Sequence, residues 1–422
     1  MAKQSDYWRA LRHYNYRILF PASMLSNIGT WVQRIAQDWL VMQLTDNNSF
    51  VLGTVTALQF LPTLFLSVWG GRLADRFDKR VLLVFTNAAS GLGSTILGVL
   101  VLANVVQIWH VYVLAFLVGI FSAVDAPIRQ AFSSELVGRE DLPNAVSLNS
   151  ANFNFGRLVG PAVSGLMIAA FGTGPSFLLN AITYVAILIA LARMRVSELK
   201  VTVAPNRGAK LRDAVKYVRK NRNIWIVMMT VFFAATFGMN YQIFMAVMAT
   251  TVFHKGPGEF GGLGSVLAIG SFSGALLAAR LEHLRRPSVI ALGAIGFGLS
   301  LMSIAYAPSY FTFALGLPFS GCIALITLIS ANSYVQTTTK PEMRGRVMGI
   351  YLMVFMGGTP LGSPLIGWVS SVIGIRDTIF ACGIIVALAA MVSVWLLRGG
   401  KSDTEGKNEP TTDTSSITIV GR

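Results

Sequence analysis

The sequence predicts an all-α membrane protein with twelve transmembrane helices, arranged as two pseudo-symmetric halves of six helices each. Three observations predict this fold: the composition, the placement of the basic loops, and a repeated glycine pattern. Of the 422 residues, 54% are hydrophobic and only 13% are charged, whereas roughly a quarter of a soluble domain is charged. Such a chain has too few polar groups to cover its apolar surface, so lipid must solvate much of it.

A membrane-spanning helix needs about 20 mostly apolar residues, and twelve segments meet this requirement. The predicted spans are residues 18–43, 49–70, 81–103, 108–128, 146–171, 175–194, 224–251, 262–281, 288–307, 311–335, 348–372 and 378–397. The predicted domains are an N-terminal six-helix half (1–195), a basic cytoplasmic linker with an amphipathic helix (196–223), a C-terminal six-helix half (224–397) and a disordered cytoplasmic tail (398–422). The linker helix is expected to lie on an anionic membrane surface, with binding of a partner as the alternative.

The basic residues fix the expected orientation. Lys255 and Arg376 are the only bases in the loops on one side, Arg34 and Arg157 fall within spans, and the other bases lie in loops and ends on the opposite side. Bases favour the cytoplasmic side, so we expect both termini in the cytoplasm and a multi-pass protein of the inner (plasma) membrane. The net charge of +15 is therefore assigned to topology, and no nucleic-acid partner is expected.

The two predicted halves resemble each other in sequence. Three glycines of the fifth span recur at one constant offset in the eleventh span, and a glutamate in the preceding loop recurs at the same offset. The matching pairs are Gly156 and Gly358, Gly160 and Gly362, Gly165 and Gly367, and Glu140 and Glu342. An internal repeat of this kind is typical of secondary transporters.

The loop between the second and third spans carries the strongest motif, Gly71-Arg-Leu-Ala-Asp-Arg-Phe-Asp-Lys-Arg80. It resembles the signature of the major facilitator superfamily, G-x-L-A-D-R-x-G-R/K-R, and departs from it at Asp78, where glycine is usual. Gly71 allows close helix approach, and Asp75 can face a helix N-terminus. The resemblance implies a latch on the inner gate, in which arginines of the loop pair with an acid on a neighbouring span. The alternative is that the bases only fix topology.

For that latch, the arginines are Arg76 and Arg80, and the acid that the resemblance implies is Asp125, at the end of the fourth span. A second motif, Gly156-Arg-Leu-Val-Gly-Pro-Ala-Val-Ser-Gly165, resembles the G-x-x-x-G-P-x-x-G-G pattern of exporters in the superfamily. Gly156, Gly160 and Gly165 favour close packing and Pro161 favours a kink, so this span is a candidate pivot, with ordinary small-residue packing as the alternative.

Three further stretches narrow the resemblance. They begin at Asn27 (NIGTWVQRIAQDWL), at Asp125 (DAPIRQA) and at Arg344 (RGRVMG), and they look like the enterobactin-exporter and macrolide-efflux branch, also described as transmembrane secretion effectors. The resemblance runs from about residue 8 to 397. It implies efflux, with siderophore export and multidrug resistance as the associated functions.

Polar residues within the first span form the candidate site. Gln33, Arg34, Gln37 and Asp38 fall within one arc of the helix, so this face should line a water-filled cavity. Arg34 and Asp38 are four residues apart and can neutralise each other. Asp38 is thus the candidate proton carrier with Arg34 as its partner, and a fixed structural ion pair is the alternative.

Four more side chains complete the predicted substrate cavity. Arg157 is a second intramembrane base, which can pair with Asp38 or bind an anionic group. Asn240, Tyr241 and Gln242 lie in the seventh span, the symmetry counterpart of the first, although helix–helix hydrogen bonding is an equal alternative for them. An aromatic-rich cavity with few charges suits a lipophilic or amphiphilic substrate.

The sequence contains no phosphate-binding GxxxxGK[ST] motif, no HExxH motif and no Cys/His cluster. We therefore expect no enzyme activity, no cofactor and no metal. The functional hypothesis is a secondary active, monomeric exporter of a small drug-like or siderophore-like molecule, working by alternating access and proton antiport. Its partners are the substrate, protons and the lipid bilayer. The alternatives are an uncoupled facilitator or lysolipid flippase of the same fold, and a non-transporting sensor or scaffold.

Overall fold

The computed structural model describes residues 8–200, 211–281 and 286–399, and its regular structure is helical, which confirms the predicted all-α class. The helices are α1 (Tyr14–Leu44), α2 (Ser49–Arg76), α3 (Lys79–Leu102), α4 (Ile108–Phe171), α5 (Gly174–Ala192), α6 (Leu211–Lys220), α7 (Arg222–Phe233), α8 (Tyr241–Val247), α9 (Pro257–Arg280), α10 (Pro287–Ala305), α11 (Tyr310–Thr338), α12 (Pro341–Ile373) and α13 (Ile375–Gly399). The predicted tail and part of the predicted linker, residues 400–422 and 201–210, lie outside the described residues.

Ten helical segments of the described residues are long and apolar enough to cross a membrane. One of them is α4, whose 64 residues contain two predicted spans, 108–128 and 146–171. Gly138 separates these two arms at φ 78° and ψ 178°, a backbone conformation that glycine adopts readily. The helix α1 is not among the ten, because its polar cluster lowers its apolar character. The count of twelve spans therefore stays a prediction.

The predicted seventh span is present but is not one regular helix. It consists of α7, a π-helix (Ala234–Gly238), α8 and a second π-helix (Met248–Val252). The side chain of Asn240 donates to the carbonyl oxygen of Thr236 at 2.8 Å, so it supplies a donor where the backbone leaves its regular pattern. Such π segments break the α-helical hydrogen-bond ladder and occur frequently at functional sites.

The helix bundle has two ends. We call the end that holds the start of α1 and the end of α13 the terminal end, and the opposite end, which holds Leu44 and Ile375, the far end. The hydroxyl of Ser49, at the start of α2, donates to the carbonyl oxygen of Gly367, near the end of α12, at 2.9 Å. Helices α1 to α5 pack on one another, as do α7 and α9 to α13, and the two sets meet mainly through α2 with α12 and α4 with α9.

The repeated glycines make equivalent contacts in the two sets of helices. Gly160 lies against α1, and Gly362 lies against the first π-helix, so each packs the repeat motif onto the first span of its own half. Gly165 lies against the start of α9, and Gly367 lies against the start of α2, so each also contacts the opposite half. A side chain at any of these positions would overlap its neighbour, which explains why glycine occurs in both copies.

The linker helix α6 packs on protein. Its residues Ala214 and Val218 are 0% and 3% exposed and belong to a cluster with residues of α7, α11 and α12. The amide nitrogen of Lys340, which precedes α12, donates to the hydroxyl of Tyr217 at 3.3 Å. The apolar side of α6 is therefore buried against the C-terminal half, and contact of its basic side with the membrane surface stays a prediction.

The N-terminal segment is held to the loop of α4 by charge. Arg9 Nε lies 2.7 Å from Asp141, and His13 Nε2 lies 2.8 Å from the other oxygen of the same carboxylate. The hydrogen bond with His13 and the charge of Arg9 hold the pKa of Asp141 below its usual range.

This lowered pKa gives a pH-dependence with a definite sign. A carboxyl whose pKa is lower in the folded state contributes stability above its unfolded pKa of about 3.9, and loses it as the pH falls through the folded value. We expect amide-exchange protection of residues 9–13 to persist at pH 6 and to fall below about pH 4. In Asp141→Asn the protection should already be low at pH 6; protection that does not depend on pH or on Asp141 would contradict this assignment.

Candidate transport site

Asp38 and Arg34 lie on α1 in the interior of the N-terminal half. Asp38 is 4% exposed, and its Oδ2 atom is buried without a hydrogen-bond partner in the described structure. The Nε atom of Arg34 is likewise buried and without such a partner. The predicted neutralising pair is therefore present as two neighbouring opposite charges, but they do not form a salt bridge or a hydrogen bond with each other. This leaves polar atoms of both groups available to a ligand or a proton.

The side chains of Arg34 and Arg157 both lie near the indole ring of Trp31. The guanidinium carbon of Arg34 lies 4.9 Å from the ring centroid of Trp31, and that of Arg157 lies 6.0 Å from it. Arg34 also lies 5.4 Å from the ring of Phe60. Arg157 Nη2 donates to Ser271 Oγ of α9 at 3.3 Å, so the predicted pairing of Arg157 with Asp38 is not formed. Arg157 instead lies where the two halves meet.

The glutamines of α1 form hydrogen bonds with neighbouring helices of the N-terminal half. Gln33 Oε1 accepts hydrogen bonds from Ser94 Oγ and Asn180 Nδ2, both at 2.6 Å, which turns this side chain towards α3 and α5. Gln37 is 3% exposed and reaches Gln59 of α2 at 3.5 Å. Because each glutamine bonds within the N-terminal half, the predicted single polar face is divided, and Gln33 has a packing role.

The predicted residues of the seventh span also differ in their roles. Tyr241 is 4% exposed, and its hydroxyl lies 2.6 Å from that of Ser320 on α11. Asn240 is 3% exposed and keeps an unpaired Oδ1 atom, and Gln242 is half-buried. Tyr241 thus follows the helix–helix hydrogen-bonding alternative, whereas Asn240 retains an acceptor for a ligand.

The structure contains a cavity that sequence reasoning missed, with a volume of about 670 Å³. It lies in the N-terminal half between α1, α3, both arms of α4 and α5, and its walls carry many amides and hydroxyls. The polar residues that line the cavity include Ser26, Asn27, Thr30, Asn87, Ser90, Asp125, Arg129, Asn149, Asn152 and Tyr184. Asn152 is 4% exposed and its Oδ1 atom has no described partner. The polar run Asn149-Ser-Ala-Asn-Phe-Asn154 at the start of a predicted span was the signal that could have revealed this cavity.

Asp125 lies in the wall of this cavity and is paired within its own half. Its carboxylate accepts from Arg129 Nε at 2.9 Å, from Thr86 at 2.8 Å and from Asn87 at 2.9 Å. Arg80 instead donates to the carbonyl oxygen of Leu191 at 2.7 Å, at the end of α5. The predicted pairing of Asp125 with the arginines of the loop is therefore absent from this conformation, because nearer partners satisfy each group.

The other latch residues lie at or near the terminal end of α2. Gly71 lies within α2, and Asp75 and Arg76 are exposed at its terminal end. Asp78 caps α3 by accepting from the amide of Val81 at 3.1 Å, which explains why aspartate replaces the usual glycine. Next to it, Lys79 forms a salt bridge of 2.7 Å with Glu135 of α4, which was not predicted.

The two halves touch at the far end and separate towards the terminal end. At Gly53 of α2, a side chain would overlap the backbone of Ser363 of α12, and further along the same pair Gly357 faces Leu64. The hydroxyl of Ser265 on α9 donates to the carbonyl oxygen of Leu158 at 2.7 Å. By contrast, the two buried apolar clusters towards the terminal end each hold residues of one half alone, whereas the cluster at the far end holds residues of both. The bundle is thus closed at the far end and open at the terminal end.

Comparison with known proteins agrees with this architecture. Residues 5–416 match the family model described as transmembrane secretion effector. The staphyloferrin A transporter of Staphylococcus aureus is 31% identical over 407 residues, covering 93% of this chain and 98% of that protein. The multidrug efflux pump Tap of Mycolicibacterium fortuitum is 28% identical over 408 residues, with coverage of 92% and 97%.

A more distant relative and a solved structure complete the comparison. The enterobactin exporter EntS of Salmonella typhi is 24% identical over 359 residues, covering 84% of this chain and 85% of that protein. A crystal structure of a bacterial homologue of the human lysosomal transporter Spinster superposes with a TM-score of 0.75 at 15% identity, covering 94% and 98% of the two chains. Family and relatives are transporters and not enzymes. The chain belongs to the transmembrane secretion effectors, a branch of the major facilitator superfamily, and is a multi-pass membrane protein.

Proposed function

We propose that this protein exports a small amphiphilic molecule from the cytoplasm by alternating access. The observation that carries the proposal is the wedge shape of the bundle, closed at the far end and open at the terminal end. In this proposal the far-end contacts break and the terminal-end latch closes as the two halves rock about the middle of the membrane. Both termini face the cytoplasm of a cell bounded by an inner membrane, and the monomer is the transporting unit.

The relatives support the outward direction and the kind of cargo. Three of them are named as a staphyloferrin A transporter, a multidrug efflux pump and an enterobactin exporter. The N-terminal cavity of about 670 Å³ has the size of a drug-sized binding site. Its polar walls and the aromatic rings beside it favour a cargo with both polar and apolar parts over a purely lipophilic one.

Proton antiport through Asp38 is the first candidate for the driving force. Asp38 is a buried carboxylate of α1 with an oxygen atom that has no partner among the described residues. Protonation would remove the negative charge beside Arg34 and raise the net positive charge of the site.

An uncoupled carrier is the second candidate, and the count of charges favours it. Arg34 and Arg157 are two cations near the ring of Trp31, and Asp38 is the acid beside Arg34. In this candidate Asp38 remains ionised as a fixed counter-charge, and the gradient of the cargo together with the membrane potential drives transport.

Inverted membrane vesicles distinguish the two candidates. Wild type, Asp38→Asn and the control Asp213→Asn, which changes an exposed acid of α6, would be tested with a panel of drugs and a siderophore. Proton antiport predicts cargo-dependent proton release that only Asp38→Asn abolishes. The uncoupled carrier predicts cargo movement without a proton gradient and without proton release in all three proteins. Wild-type vesicles that move no cargo under either condition would refute export.

Closure of the latch is tested in the same vesicles. Asp75→Asn removes the charge that is proposed to meet a helix N-terminus when the terminal end closes, and such an interaction contributes about 0.3–1 kcal/mol. We expect transport to slow by roughly two- to fivefold, since the variant populates the terminal-closed state less. Binding of cargo from the cytoplasmic side should be unchanged, and an unchanged transport rate would remove Asp75 from the latch.

A further inference from the structure

We propose that the cargo carries an anionic oxygen group, such as a carboxylate, catecholate or phosphate, and that Arg34 and Arg157 bind this group beside Trp31. The inference rests on the proposed export function and names the chemical class of its substrate. It also assigns a binding role to the two intramembrane arginines. This role is separate from the closing of the gates.

The charges of Arg34, Arg157 and Asp38 do not sum to zero. Arg34 and Arg157 contribute two positive charges and Asp38 contributes one negative charge, while Asp125 and Arg129 compensate each other in a salt bridge of 2.9 Å. The site therefore has a net charge of +1 when Asp38 is ionised and a higher positive charge when it is protonated. An uncompensated charge within a membrane protein is costly, and a bound anion removes that cost.

The two guanidinium groups have donors to spare. A guanidinium has five N–H donors in a planar fork that fits a carboxylate or phosphate in a bidentate manner. Arg34 makes no described hydrogen bond, and its Nε atom is buried without a partner. Arg157 makes one, to Ser271 at 3.3 Å. The guanidinium carbons lie 4.9 Å and 6.0 Å from the centroid of the same indole ring, and this contact uses none of their donors.

The cavity of the N-terminal half begins one aromatic ring away from Trp31. Trp31 packs edge-on against Phe153 at a centroid distance of 6.0 Å, and Phe153 and Thr30 line the cavity of about 670 Å³. The unpartnered Oδ1 atom of Asn152 in its wall needs a donor such as a hydroxyl or an amide N–H. The cargo is thus an anion with additional hydrogen-bond donors.

The charge of the cargo also bears on the driving force. A monoanion at the arginines makes the loaded site neutral while Asp38 stays ionised, so the loaded carrier crosses without a proton. If Asp38 were protonated as the anion bound, both would move outward together, against an inward proton gradient. A membrane potential that is negative inside favours the exit of an anion. The inference therefore develops the uncoupled candidate.

Binding to the protein in lipid nanodiscs tests the assignment. The probes are carboxyfluorescein, an anion, and rhodamine 123, a cation with the same xanthene ring system, and binding is followed by fluorescence anisotropy. We expect wild type to prefer carboxyfluorescein, and Arg34→Gln and Arg157→Gln each to weaken its binding by about tenfold or more, with little change for rhodamine 123. Arg157→Lys should retain more affinity than Arg157→Gln, and Arg280→Gln, at an exposed position of α9, is the matched control.

The outcomes separate this inference from the proposed function. A preference for rhodamine 123, or unchanged carboxyfluorescein affinity in folded Arg34→Gln and Arg157→Gln, would overturn the anion site, and export of another cargo would still stand. Arginine-dependent binding without transport in proteoliposomes would refute export and leave the site intact. Nanodiscs of phosphatidylcholine alone and with phosphatidylglycerol identify the source of the anion, because competition by phosphatidylglycerol indicates a lipid headgroup and its absence indicates a soluble anion.

Discussion

Gly53→Ala is expected to open the far end of the bundle and to shift the protein away from the conformation described above. A methyl group at this position of α2 overlaps the backbone of Ser363 on α12, and overpacking of this kind costs about 1–3 kcal/mol. Because the overlap exists only while the far end is closed, the ratio of the two conformations should change by roughly 5- to 150-fold. Spin labels at Asp46 and Lys255, on far-end loops of the two halves, should show a longer distance by pulsed electron paramagnetic resonance.

Gly296→Ala is the matched control for this prediction. Gly296 is also a helical glycine, but the nearest atom to a methyl group there would lie at an ordinary 3.7 Å. Both changes gain about 1 kcal/mol of helix propensity, so only the contact between the halves differs. If Gly53→Ala and Gly296→Ala give the same distance distribution as the parent, the far-end seal does not control the conformational equilibrium.

Lys79→Met should produce the largest loss of stability. The side chains of Lys79 and Glu135 are 15% and 7% exposed, and their charged atoms lie 2.7 Å apart. Removing one partner of a buried pair leaves the other charge poorly compensated, which typically costs about 3 kcal/mol or more. We expect the free energy of unfolding to fall by about that amount, measured by detergent-induced unfolding followed by circular dichroism.

The double variant Lys79→Met with Glu135→Leu makes this prediction specific. Replacing both partners by apolar residues removes the stranded charge, so most of the stability should return. Lys216→Met, at an exposed position of α6, should change the free energy of unfolding by less than about 0.5 kcal/mol. A loss in the double variant equal to that in Lys79→Met would show that Lys79 acts through another contact.

The latch motif shows how far a local pattern can predict. The resemblance correctly identified the loop from Gly71 to Arg80 as a feature of the superfamily, but it did not predict the contacts within this conformation. Arg80 binds the end of α5, and Asp125 binds Arg129, because the acid and the base each have closer partners when the terminal end is open. Which acids and bases pair depends on how the helices pack, so motif residues cannot be paired from sequence alone.

The candidate site was predicted in part. The sequence identified Arg34, Asp38 and Arg157 because ionisable residues are rare within apolar spans. It did not separate Gln33, which bonds to Ser94 and Asn180, from the residues that face the centre. Helical periodicity gives the direction of a side chain around its own helix, and the neighbour in that direction depends on how the helices pack.

Composition, basic loops and repeated glycines by themselves determined that the chain is a helical membrane protein with the features of a two-part transporter. These properties depend on whether lipid or water solvates each segment and on how small its side chains are. Both can be read from the local sequence. Tertiary structure alone decided the closed far end, the cavity among the amides of the N-terminal half, and the placing of Arg34 and Arg157 near one indole ring. Each of these depends on distances between residues far apart in the chain, which only the packed bundle specifies.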